Sequence, residues 1–97
     1  MSNATGTATI DFGAHPGSNE ANVAVTGQAL ILATSKCEAF IMADDTSTDH
    51  TASDHRYADL FMSLTCGTPT VSTGFTIYAR SMEKLSGQFT IRWVWVD

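Results

Sequence analysis

The stretch "GQFTIRWVWV", Gly87–Val96, alternates with period two and decides the fold class. Successive side chains of a strand point to opposite faces. Phe89, Ile91, Trp93 and Trp95 therefore share one face, and Gln88, Thr90, Arg92, Val94 and Val96 share the other. The first face is too apolar and too large to be left in water, so it predicts a core strand. Val94 and Val96 make the second face partly apolar. A strand apolar on both sides is either central in a sandwich or covered by another chain.

The same alternation recurs upstream. "TATIDF" puts Ala8, Ile10 and Phe12 on one face, and "EANVAVTG" does so with Ala21, Val23 and Val25. "KCEAFIMA" aligns Cys37, Ala39, Ile41 and Ala43, with Phe40 and Met42 opposite. "YADLFMSLTC" aligns Leu60, Met62, Leu64 and Cys66, and "GFTIYAR" aligns Phe75, Ile77 and Ala79. Turn clusters separate these runs: "GAHPGSN", which contains His15, and "GTPTVSTG", where Pro69 ends a strand for want of an N–H. The expected fold is all-β, an antiparallel β-sandwich or small barrel of about six to eight strands.

Residues 1–7, small and polar, are expected as a flexible N-terminal arm, and residues 8–97 as a single β domain. "RSMEKLSG" reads as a short connection holding the one helix-friendly run, Met82–Leu85. "TGQALILATSK" fits either a two-sided buried strand or a crossover.

At 97 residues the chain is near the small end of what folds alone. It buries about 60–65% of its unfolded surface, so assembly with other copies is expected to supplement its core. Net charge is −5, and Lys36, Arg56, Arg80, Lys84 and Arg92 are spread along the chain. Nucleic-acid binding needs clustered cations to displace counterions, and none cluster here. No apolar run approaches the ~20 residues of a membrane-spanning helix. "MSNATGTATIDFG" lacks the basic start and apolar core of a secretion signal, so synthesis in a cytoplasm is expected. Cys37 and Cys66 sit in strand-like apolar contexts. Buried thiols acting as small hydrophobes are favoured there, with a disulfide as the alternative.

The polar stretch "DDTSTDHTASDHRY", Asp44–Tyr57, repeats an Asp-His unit. Imidazole and carboxylate are good ligands for zinc and other divalent ions. The step from His50 to His55 is five residues, however. On a strand it sends the rings to opposite faces, and on a helix it separates them by about 140°. Only a curled loop would gather Asp49, His50, Asp54 and His55 around an ion. A solvated inter-strand loop or a subunit contact is the favoured reading. The acidic pile-up of Asp44, Asp45, Asp49 and Asp54 lacks the Gly and terminal Glu of an EF-hand loop.

No nucleophile elbow, Cys-His pair or phosphate-cradling glycine loop is present, so the chain does not read as an enzyme, and no cofactor is expected. Aromatic side chains could instead form a carbohydrate-stacking platform. Alternation sends Trp93 and Trp95 to the core, leaving Tyr57 and Tyr78; Tyr78 shares an expected exposed face with Thr76 and Arg80.

In "TGFTIYARS" and "GQFTIRWVWVD", with "VAVTGQ" and "ADDTSTDHTASDHRY" upstream, the chain resembles small structural (virion) proteins of tailed bacteriophages. The resemblance runs from about Ile10 to the end and rests on strand and loop texture, with no catalytic signature. It implies a virion component present in several copies. The lean is to a capsid decoration or cement protein, because the chain is one domain without a fibre-like repeat or coiled coil. The alternative is a tail, baseplate or fibre component, including a receptor- or carbohydrate-binding module. The implied partners are the major capsid protein or tail proteins and further copies of the chain, with neither nucleic acid nor membrane. The residues expected to meet a partner are His50, His55, Arg56, Tyr78, Arg80, Val94 and Val96.

Overall fold

Two three-stranded antiparallel sheets, ordered β1-β6-β3 and β2-β5-β4, pack together into a small all-β sandwich. The computed structural model describes residues 2–14, 16–42 and 50–97. The elements run β1 (Asn3–Asp11), β2 (Ser18–Val25), β3 (Lys36–Ile41), α1 (Ala52–Asp59), β4 (Met62–Cys66), β5 (Phe75–Leu85) and β6 (Gln88–Val96). The domain measures 40 × 22 × 20 Å.

Both sheets grow from a single folded ribbon. Residues of β1 pair with β6 from Asn3↔Val96 to Asp11↔Gln88, and residues of β2 pair with β5 from Ser18↔Leu85 to Val25↔Phe75. Between these ladders the pairing continues through the bend. Phe12 N–H donates to the Gly87 carbonyl (3.0 Å), and Gly87 N–H donates to the Gly13 carbonyl (2.7 Å). A long two-stranded ribbon is thus doubled over near Phe12, Gly13 and Gly17 on one side and Ser86 and Gly87 on the other, and each half becomes part of one sheet. The bend brings chains so close that a Cβ on Gly17 (φ +80°) would lie 1.8 Å from the Leu85 carbonyl oxygen. β3 then pairs with the free side of β6, from Lys36↔Val96 to Ile41↔Ile91. β4 pairs with β5 from Met62↔Ser81 to Cys66↔Ile77.

β6 is therefore the central strand of its sheet, and its alternation is satisfied as expected. Phe89, Ile91, Trp93 and Trp95 are buried, facing a second layer that includes Val25, Phe75, Ile77, Ala79 and Met62. Burial of each large apolar side chain contributes about 1.5–3 kcal/mol. Aromatic edges meet faces within this core: Phe75 and Trp93 are T-shaped at 5.7 Å, and Phe12 and Phe89 at 6.1 Å. Gly6, paired with Trp93, has no side chain because a Cβ there would come 2.4 Å from the indole. The buried Trp95 Nε1–H is satisfied by the Gln28 side-chain oxygen at 3.0 Å.

Four expectations are corrected. Asn3–Thr7, read as part of a flexible arm over residues 1–7, form the first half of β1, paired with Val96 through Arg92. The second Asp-His unit, read as loop, lies in α1. "YADLFMSLTC", read as one strand, is helix through Asp59 and strand only from Met62, with Leu60 exposed at the junction. Met82–Leu85, read as a helix-friendly connection, continue β5. "TGQALILATSK" is the crossover from the second sheet to the first, anchored by the fully buried Ile31. Asp44, Asp45 and Asp49, together with His15, lie outside the described residues.

Candidate functional site

Helix α1 docks against β6 beyond the last described β3–β6 pair, Ile41↔Ile91, through His55 and Thr90. Its start is written in Thr51 and Asp54. Thr51 Oγ1 accepts the Asp54 N–H (3.2 Å), and Asp54 Oδ2 accepts the Thr51 N–H (3.1 Å), a reciprocal capping box. The inward face carries His55 and Ala58, both buried, at a helical spacing of three. The small Ala58 lets the helix approach closely, and His55 reaches across to the sheet.

The two histidines converge on one ring by different routes. His50 stacks on Phe89 with ring centroids 4.0 Å apart and planes within 8° of parallel. His55 meets the same phenyl at 5.3 Å, tilted by 73°. The five-residue step thus joins the rings at Phe89, because His50 precedes the N-cap instead of lying within the helix. Their nitrogens are engaged separately. His50 Nε2 donates to the Ser86 carbonyl (2.7 Å), and Nδ1 lies 3.3 Å from Asp54 Oδ2. His55 is fully buried; its Nδ1–H donates to the Thr51 carbonyl (2.8 Å), and its Nε2 accepts the Thr90 N–H (3.0 Å). Those two partners together select the neutral Nδ1–H tautomer.

This cluster is a joint between helix and sheet. Among the described residues, no three His, Cys, Asp or Glu side chains come together as a metal site. Asp49, the other ligand candidate, lies outside them. His55 cannot meet a partner from its buried position, which corrects its reading as a contact residue, and His50 is largely covered by Phe89 and Ser86.

The Thr51 backbone N–H, aided by His50, holds the Asp54 carboxyl below its usual range. A depressed folded value means that the carboxylate's contribution is present above the unfolded value of 3.8 and is lost as pH falls through the folded value. Asp54→Ala should therefore lower the urea midpoint at pH 6, and the gap to the parent should close on acidification below 3.8. A gap of constant size would show that the carboxylate charge is irrelevant to the cap.

The remaining candidates are dispersed. Arg56 points outward from α1 and donates to Ser53 Oγ (3.1 Å). Val94 and Val96 lie on the outer face of β6, partly and more fully exposed. Tyr78 and Arg80 lie together on the outer face of β5, where Arg80 pairs with Glu20 of β2. Cys37 and Cys66 are free, half-buried thiols on the edge strands β3 and β4. Burial pushes the Cys66 thiol up to about 11, reinforced by Cys37 and Glu38, and burial raises Cys37 as well. Both are protonated at neutral pH and act as small hydrophobes.

Two apolar surfaces escaped the sequence reading. At the bend end, Tyr57, Leu60 and Met82 are exposed around Phe61, whose ring lies 5.0 Å from Tyr57 and whose carbonyl accepts the Met82 N–H. At the opposite end, Leu30, Leu32 and Val71 are exposed beside the hydrogen bond from Ser72 N–H to the Ile31 carbonyl. Met82 is 85% exposed and Leu60 73%. No protein-family model matches the chain, and neither a comparison with curated proteins nor one with solved structures finds a similar protein.

Proposed function

We propose that this protein is a structural subunit of a bacteriophage virion, acting as a capsid decoration or cement protein through protein–protein contacts. The observation that supports this reading is the pair of exposed apolar clusters, Tyr57–Leu60–Met82 and Leu30–Leu32–Val71, at opposite ends of a domain 40 Å long. A domain of this size has little core to spare, so large side chains left in water at both ends favour a molecule that works when neighbours cover them. Two unlike patches suit heterologous contacts, in which one surface meets a different surface on the next molecule. The acidic balance of the chain fits contact with protein surfaces and offers nothing to packaged nucleic acid.

Purified expanded capsids should take up the protein to a fixed stoichiometry. Met82→Glu and Leu30→Glu, both at exposed positions, should leave folding intact while at least one weakens uptake about tenfold, or 1.4 kcal/mol. Labelling confined to tails would move the subunit to the tail. Absence from both capsids and tails would end the virion reading.

A further inference from the structure

We propose that the outer face of the β2-β5-β4 sheet is a binding site for a short neutral saccharide, with Tyr78 as its stacking platform. This site is independent of where in a virion the subunit sits, and its test does not use capsids. The face holds an open groove of about 820 Å³, within the range of small-molecule sites. Two consecutive cross-strand rungs line it. Asn22, Tyr78 and Thr65 form the first, and Glu20, Arg80 and Ser63 the second.

Three features of these rungs select the ligand. Tyr78 is half exposed at the middle of the first rung, with its ring edge and hydroxyl settled against Gly67. A Cβ at Gly67 would stand 3.1 Å from the Tyr78 ring, so the glycine keeps the room in which the ring lies. A half-exposed ring steadied at its edge offers an apolar face to the C–H side of a pyranose.

The flanking groups suit hydroxyls. Asn22, Ser63 and Thr65 supply donors and acceptors, and among the described residues no hydrogen bond engages their side chains. Arg80 and Glu20 satisfy each other, the Arg80 Nε–H lying 3.0 Å from Glu20 Oε1, so the groove carries no net charge to attract an ionic ligand. A protein hot spot would put apolar and aromatic residues at the groove's centre and keep charges at its rim. Here an ion pair forms one of the two rungs. The rungs are about 7 Å apart, so a sugar stacked on Tyr78 places its neighbour over the Glu20–Arg80–Ser63 rung.

The test is titration of the ¹⁵N-labelled full chain with maltotriose, cellotriose, mannotriose and triacetylchitotriose, with trigalacturonic acid as the charged comparator. At least one neutral trisaccharide should give saturable amide shifts at Asn22, Thr65 and Tyr78. Tyr78→Ala should weaken that binding tenfold or more, Tyr78→Phe should retain most of it, and Asn22→Leu should weaken it while preserving the spectrum elsewhere. Silence with all four neutral sugars would overturn the proposal. So would unchanged binding by Tyr78→Ala, or tighter binding of the acidic trisaccharide.

Discussion

Replacing His55 with alanine should lower stability by about 3–4 kcal/mol, a large part of the roughly 5–15 kcal/mol available to a domain of this length. Two losses combine. The imidazole is fully buried, so truncation leaves a cavity beneath α1. The Thr90 N–H also loses His55 Nε2, its one acceptor among the described residues, and a covered donor left unsatisfied costs about 1–3 kcal/mol. The helix has eight residues and cannot hold itself in water, so undocking should melt it. Urea denaturation gives the size of the loss, and hydrogen exchange at Thr90 gives the cause, since that amide should lose protection first. His55→Gln can still offer an acceptor to Thr90 and should fall between the two. His50→Ala removes one stacked ring, the hydrogen bond to Ser86 and the longer, exposed contact with Asp54 from a less buried site, for about 1–1.5 kcal/mol. If the two alanine variants lose equal and small amounts, His55 is not the pin.

Gly17→Ala should cost about 3–5 kcal/mol, whereas Gly13→Ala, four residues earlier in the same bend, should cost only about 1–2 kcal/mol. Both glycines have positive φ, +80° and +89°, so any L side chain is strained at either. They differ in space. A Cβ on Gly13 meets nothing within 4 Å, but one on Gly17 lies 1.8 Å from the backbone of Leu85. Backbone cannot swing aside as a side chain can, so the Gly17 variant must pull apart the Ser18↔Leu85 pairing where the ribbon turns into the second sheet. Thermal or urea unfolding of the two variants reads the contrast directly. Equal losses would show that conformation alone governs the bend, and that the close approach is not needed to double the ribbon.

The strands were legible because each buries one face. Period-two alternation marks Ile10, Val25, Ala39, Ile77 and the Phe89–Trp95 series in sequence, and all of them are buried. Helix α1 was not legible by periodicity, since its inward face presents an imidazole and one small alanine in place of a leucine stripe. A local signal was nevertheless there: Thr51-x-x-Asp54 is a capping box, and it sat inside a stretch whose polarity read as loop. Met82–Leu85 shows the opposite failure. Met, Glu, Lys and Leu favour a helix, yet β5 carries them as strand because Leu85 pairs with Ser18 and Met82 bonds to Phe61.

The candidate sites were legible in part. Tyr78 and Arg80 were expected on one exposed face, and they share it. Their companions Glu20, Asn22, Ser63 and Thr65 come from strands about 15 to 60 residues away in the chain, and only sheet register sets them beside Tyr78. The apolar ends were hidden for the same reason. Leu60 and Met82, or Leu30 and Val71, are unremarkable singly and form surfaces only when the topology gathers them.

The sequence by itself determined the central part of each strand and the face that it buries, because side-chain alternation is a property of the strand alone. Tertiary structure decided the rest: that residues 3–7 form strand, that α1 is pinned through His55, and that polar side chains from three strands line one groove. Each depends on a partner distant in the chain, whether the far half of a doubled ribbon, a Thr90 N–H beyond the end of β3, or a neighbouring rung. Local propensity contains no information about such partners.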